Sequence, residues 1–168
     1  GFQIFDDQPY IYWIEAALLK KISEMETLDP NAAEIRVGLQ TGDDFRFLRT
    51  WWETPSNSII EPAPGTSYTE TPSICIDLSN TAHWPWYSKT EVASPLISSI
   101  HLLVKWRNNG AEIKAYHEGN GHSASKYVMS ESKYFLPGFS YRLRSVRLVP
   151  HLVPAAVIPT AGRSQVYS

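Results

Sequence analysis

The sequence predicts an α+β fold, a twisted mixed or antiparallel sheet with an N-terminal bracing helix. Three observations carry that prediction. One segment, residues 8–27, has a clear helical period, while most other apolar stretches are short and alternate with polar residues. Twelve prolines and nine glycines punctuate the chain, which favours many turns over a helical bundle. With 168 residues and 43% hydrophobic content, the chain is long enough to bury a core as a single domain over 1–168.

In the helix, Ile11, Ile14, Leu18, Ile22 and Met25 recur at spacings of three and four, with Glu15, Lys20, Lys21, Glu24 and Glu26 on the other sides. Asp6 or Asp7 suits its cap, and Pro9 its first turn. Asp29-Pro30 ends it, because a residue preceding proline is pushed out of the helical region. Residues 1–30 are therefore expected to brace the sheet.

Ile35, Val37 and Leu39 alternate as in a half-buried strand, which stops at Gln40-Thr41-Gly42. Thr41 or Asp43 is placed to cap a short turn, for which Phe45, Phe47, Leu48, Trp51 and Trp52 supply apolar weight. Arg46 and Arg49, three apart, share a face if this segment is helical. The whole reads as a strand delivering a tight polar loop to a surface.

Residues 54–73 are rich in Pro, Ser and Thr and predict a long surface loop or paired short strands. Residues 74–78 and 100–106 read as strands, Asn108-Asn109-Gly110 as a turn, Ala111 to Tyr116 as a helical turn or more, and Asn120 to Ser125 as a loop. From Tyr134 to Val166, short strands are interrupted by Pro137, Pro150, Pro154 and Pro159, which confines the proline-bearing strands to edges and corners.

No apolar run is long enough to span a bilayer, and the N-terminus lacks the pattern of a secretory signal. The missing initiator Met suggests a piece of a longer protein. The one cysteine, Cys75, cannot form an internal disulfide and reads as a small core hydrophobe in a reducing, cytoplasmic setting.

The net charge of −2 conceals an asymmetry. Residues 1–88 hold 5 Lys/Arg against 13 Asp/Glu, a net of −8, and residues 89–168 hold 10 against 4, a net of +6. After Glu131 only basic residues remain among the charged ones: Lys133, Arg142, Arg144, Arg147 and Arg163. Either the second half presents a basic face to a polyanion, or the two halves pair with each other. Basic residues flank the aromatic segments at Lys89, Lys105, Arg107 and Lys114. In Tyr141 to Arg147 the alternation points Arg142 and Arg144 the same way if the segment is a strand. Arginine suits a bidentate grip on guanine, lysine a phosphate, and Gln40, Thr41 and Ser140 shorter hydrogen bonds.

Four segments also carry a family resemblance. Gly38 to Glu53 (G-L-Q-T-G-D-D-F-R-F-L-R-T-W-W-E), Trp84 to Lys89 (W-P-W-Y-S-K), Leu103 to Lys114 (L-V-K-W-R-N-N-G-A-E-I-K) and Gly138 to Tyr141 (G-F-S-Y) together resemble a known region. It is the target-recognition region of the large adenine-specific DNA methyltransferases of bacteriophage-exclusion (BREX) systems, the PglX type. The chain is similar, too, to the region after the catalytic domain in single-chain restriction-methylases. The resemblance spans most of residues 30–160. It departs at Ser88, where the family has Asn, and at Thr90-Glu91, where it has glycines. It implies a specificity-domain-like fold and a fragment that selects duplex DNA sequence for restriction-modification or phage defence. S-adenosylmethionine and adenine-N6 transfer would belong to the catalytic domain of the parent chain, itself a partner of this one. The matched motif positions are Gly38, Gln40, Thr41, Gly42 and Lys89. Arg46, Lys105, Arg107, Ser140, Arg142 and Arg144 join them as candidate DNA contacts on charge and hydrogen-bonding capacity.

Other chemistries fit the residues less well. His117 and His122 are five apart, whereas one helical face requires four, and two glycines lie between them, so neither a metal site nor a catalytic residue is expected. Asp7-Gln8-Pro9-Tyr10 imitates the catalytic Asn/Asp-Pro-Pro-aromatic loop of amino-methyltransferases, but Gln8 replaces the first proline. A sugar-binding face built on Trp51-Trp52 or Trp84 to Tyr87 lacks matched acidic partners. A protein-docking module of a defence complex, without DNA binding of its own, is the principal alternative.

Overall fold

Short alternating segments pair over long sequence separations into two small sheets. The computed structural model describes residues 15–89, 96–97, 99–142 and 149–167. Its elements run α1 (Ala16–Glu24), α2 (Leu28–Asn31), β1 (Glu34–Val37), α3 (Asp44–Phe47), β2 (Leu48–Thr50), α4 (Thr71–Leu78), β3 (Trp86–Ser88), β4 (Leu96–Ile97) and β5 (Leu102–Val104). Then follow α5 (Arg107–Gly119), β6 (Gly138–Arg142), β7 (His151–Val153), β8 (Val157–Pro159) and β9 (Arg163–Tyr167). The fold is α+β with mixed sheets, as the sequence predicts.

One sheet has the order β1-β9-β6-β7-β4, antiparallel except where β4 runs parallel to β7. The other has the order β2-β5-β3-β8, antiparallel except where β8 runs parallel to β3. β8, which ends in Pro159, lies at an edge, where a missing N–H does least harm. Leu39, Phe47, Ile60, Trp106, Ile113 and Ile158 form the centre of the core.

The period of two divides the five-stranded sheet into unlike faces. Ser140 and His151 are opposite each other and fully buried. Phe139 and Leu152, also opposite each other, are 55% and 53% exposed, and Phe139 continues across the sheet to Val166 and Ile35.

Several local expectations are corrected. Residues 74–78 are not a strand but belong to α4, with Pro72 in the first turn and Thr71 and Cys75 buried at helical spacing. Burial pushes the Cys75 thiol up to about 12, so it stays protonated and unreactive at neutral pH. Arg46 and Arg49 do not share a helical face, because α3 ends at Phe47 and Arg49 lies in β2. Phe45, Trp51 and Trp52 are exposed and add no core weight. The N-terminal helix stops at Glu24, short of the expected end at Asp29-Pro30; it exposes Leu18, and Met25 beyond it is exposed too, while the expected caps at Asp6, Asp7 and Pro9 lie outside the described residues. Asp29 has φ −101° and ψ 125°, the extended conformation expected before Pro30.

The seam between the sheets positions the candidate site. After β1 the chain leaves the five-stranded sheet, and the Leu39 N–H donates to the Pro159 carbonyl (2.7 Å) at the end of β8. In return the Ala161 N–H donates to the Leu39 carbonyl (2.8 Å), and the Thr160 N–H to that of Ser88 (3.1 Å). Segments 38–42, 87–89 and 159–162 therefore lie side by side.

Candidate functional site

At this seam Gln40, Thr41, Gly42, Asp44, Tyr87, Lys89, Thr160, Ala161 and Gly162 line an open depression of about 460 Å³. Its near wall is the Gln40–Gly42 loop. Asp43 caps α3, its Oδ1 accepting from the Arg46 N–H at 3.1 Å. That cap turns Asp44 toward the loop, where its Oδ1 accepts from the Thr41 hydroxyl at 2.6 Å and its Oδ2 from the Lys89 ammonium. The far wall is held by the buried Tyr87 hydroxyl, 3.0 Å from the Leu39 carbonyl and 3.1 Å from the Thr160 hydroxyl. Burial pushes the Tyr87 phenol up to about 12, so it remains a hydrogen-bond donor.

The loop has a second support. Its Thr41 carbonyl accepts from Nε2 of His117, a buried residue of α5, at 3.1 Å. Tyr127 stacks on the imidazole with centroids 3.7 Å apart and planes 11° from parallel. Gln40 and Gly42 also border a second depression of about 440 Å³ with Tyr116, His117, Asn120, His122 and Tyr127. Gln40, exposed, stands between the two.

Of the candidate contacts, Gln40, Thr41, Gly42 and Lys89 meet here, drawn from two motifs although more than forty positions separate the loop from the lysine. The others go elsewhere. Gly38 is buried under Pro159. Arg46 and Lys105 both hold Glu112, at 3.1 Å and 2.7 Å. Arg107 is exposed at the start of α5, and Ser140 is buried on the inner face of its sheet. Arg142 ends β6 with its side chain outside the described residues, as is all of Arg144. The supporting roles of Tyr87 and His117, weighed only for a sugar face and a metal site, and those of Tyr127 and Thr160 to Gly162 are not legible in the sequence, since no local pattern marks a residue whose partner lies seventy or more positions away.

Among the described residues, several of the candidate cations are paired with carboxylates. Lys89 pairs with Asp44 and Lys133 with Glu34 across the two halves of the chain, while Lys105–Glu112 and Lys114–Glu131 pair within the second half. Desolvation raises the Asp44 pKa, but Lys89 and Thr41 outweigh it and hold the carboxyl below its usual range. For Glu112 the Lys105 hydrogen bond leads, with Arg46 adding to it against desolvation, again to a lowered value.

A pKa depressed on folding gives stability that is present above the unfolded value and lost as pH falls through the folded one. Both pairs are thus intact at neutral pH and open only as pH falls through the lowered carboxyl values. In an NMR carboxyl titration, Asp44 and Glu112 are expected to titrate below their ordinary values of roughly 3.9 and 4.3. Lys89→Met should move the Asp44 midpoint up, and an unmoved midpoint would count against the ion pair.

Among the described residues no group of three or more His, Cys, Asp or Glu side chains is placed to hold a metal ion, and no helix is long and apolar enough to cross a membrane. The spaces left by Gly38 and Gly42 are taken by the Pro159 carbonyl and the His117 ring. The chain matches no protein-family model and no curated protein.

Proposed function

We propose that this chain is a duplex-DNA recognition domain of a site-specific adenine-N6 DNA methyltransferase in phage defence or restriction-modification. S-adenosylmethionine and the transfer step belong to the catalytic domain of the parent protein. The observation that supports the reading is the meeting of the Gln40–Gly42 loop with Lys89 at one open, polar depression. Those are the positions on which the two best-placed motifs of the resemblance fall. Gln40 presents an exposed amide, which both donates and accepts and so suits a base edge. Lys89 suits a phosphate, which must displace the Asp44 carboxylate to reach it. Affinity of the isolated chain is therefore weak and salt-dependent.

Fluorescence anisotropy with a labelled duplex tests this. Wild type should bind weakly, with affinity falling as salt rises. Lys89→Ala should flatten the slope of log affinity against log salt by about one. Asp44→Asn, which frees the ammonium, should bind several-fold more tightly, on the order of one added charge contact. No salt-dependent affinity, or identical slopes for wild type and Lys89→Ala, would overturn the reading.

The alternative, a docking module without DNA binding of its own, draws on the outer face of the five-stranded sheet. There Phe139 and Leu152 are exposed side by side in register with Val166 and Ile35. The resemblance implies one partner, the catalytic domain of the parent chain, and this alternative would seat it on that face. Phe139→Asp with Leu152→Asp should abolish association with that domain while leaving any duplex affinity in place.

A further inference from the structure

Phe45 is the most exposed large apolar side chain among the described residues, at 95%; the next, Met25, is at 69%. Single apolar residues at a surface are ordinary. This one is unusual in how firmly its base is held. Asp43 caps the turn before it, and the carboxylate of Asp44 is fixed by Thr41 and Lys89. On its other side, the Phe45 carbonyl accepts from Arg49 Nη1 at 2.7 Å, and the same nitrogen binds the Leu48 carbonyl at 2.6 Å. Two residues on, Phe47 is completely buried and anchors α3 in the core. The turn thus holds one phenyl ring in the core and the other in water. Successive helical residues point about 100° apart, so the Phe45 ring stands beside the depression that Asp44 lines, not within it.

We propose that Phe45 is a stacking wedge for a nucleobase, inserted beside the phosphate that Lys89 takes. The inference rests on the DNA reading above and adds a ligand class to it: the flat face of a base at a step that the protein unstacks. A clamped turn leaves only the two side-chain torsions of the ring to be fixed on binding, and apolar wedges of this size open base steps from a surface. Cation and ring then divide the work, with Lys89 supplying the salt-dependent contact and Phe45 one that salt leaves alone.

The test uses the whole chain and duplexes carrying 2-aminopurine at successive positions. Wild type should raise the fluorescence at one position as the probe unstacks. Phe45→Ala should abolish that rise and weaken binding about tenfold, with the salt slope unchanged. Phe45→Trp should preserve both binding and the fluorescence rise. Because the side chain is almost fully exposed, the alanine variant should keep the wild-type melting temperature. Equal affinity and equal fluorescence for wild type and Phe45→Ala would overturn this inference while a Lys89-dependent salt slope leaves the DNA reading standing. An effect of Phe45→Ala on association with the catalytic domain, and none on DNA, would reassign the ring to a protein partner. No binding of wild type to any duplex would overturn both.

Discussion

Gly38→Ala is expected to destabilise the chain by roughly 2–4 kcal/mol, combining overpacking with the loss of a backbone hydrogen bond. A Cβ at this position would lie 2.0 Å from the Pro159 carbonyl oxygen and 2.5 Å from its carbon. These are backbone atoms, and the oxygen is the acceptor for the Leu39 N–H. No rotamer change relieves the collision; the two strands must separate. Separation breaks the 2.7 Å bond and loosens Leu39, a fully buried residue bridging both Thr160 and Val128. Urea denaturation of wild type and variant measures the loss. Gly119→Ala is the control: nothing lies within 4 Å of its added Cβ, and alanine favours α5, so it should be neutral or stabilising by up to about 1 kcal/mol. Equal midpoints for Gly38→Ala and wild type would show that the seam is not held as described. Gly38, a candidate DNA contact on its motif position, thus acts through packing: it brings β1 and β8 close enough for the Gln40–Gly42 loop to face Lys89.

Local chemistry was the readable part of this sequence. The alternation before Gln40, the cap at Asp43 and the helical stretch from Ala111 to Tyr116 each depend on neighbours within four positions, and each forms. The misread helix α4 is a case of two periods coexisting. Ser-Ile-Cys-Ile-Asp-Leu alternates like a strand, yet Thr71, Cys75 and Ser79 are buried at a spacing of four, and Pro72 marks a helix start. In so short an apolar run the period cannot decide. The candidate site was half readable for a different reason. Its loop, its lysine and Tyr87 sit in recognisable motifs, but Thr160 to Gly162 arrive through strand pairings that no local pattern encodes. The charge asymmetry was readable as a quantity and silent about its use. Side-chain geometry decides between a free cation and a paired one, and the described lysines at positions 89, 105, 114 and 133 are all paired.

Gly42→Ala is expected to cost roughly 2–5 kcal/mol, from a left-handed backbone closed to most side chains plus overpacking. Gly42 has φ +77°, and an added Cβ would lie 2.4 Å from Cε1 of His117. The imidazole cannot yield easily, since Tyr127 stacks on it and its Nε2 donates to the Thr41 carbonyl. The two contributions separate in a double-mutant cycle. His117→Ala removes the obstacle but leaves the backbone strain. Gly42→Ala in that background should therefore cost only the left-handed share, about 1–2 kcal/mol. A coupling energy near zero would mean that the glycine is required by its backbone angle alone and that loop and α5 are mechanically independent. A large coupling would make His117 the positioning residue of the Gln40–Gly42 loop. In that case His117→Ala should weaken duplex binding and leave its salt slope unchanged, because the Asp44–Lys89 pair on the opposite side of the loop is untouched. Loss of the salt slope in His117→Ala would instead place the imidazole's influence on Lys89, and with it the whole seam.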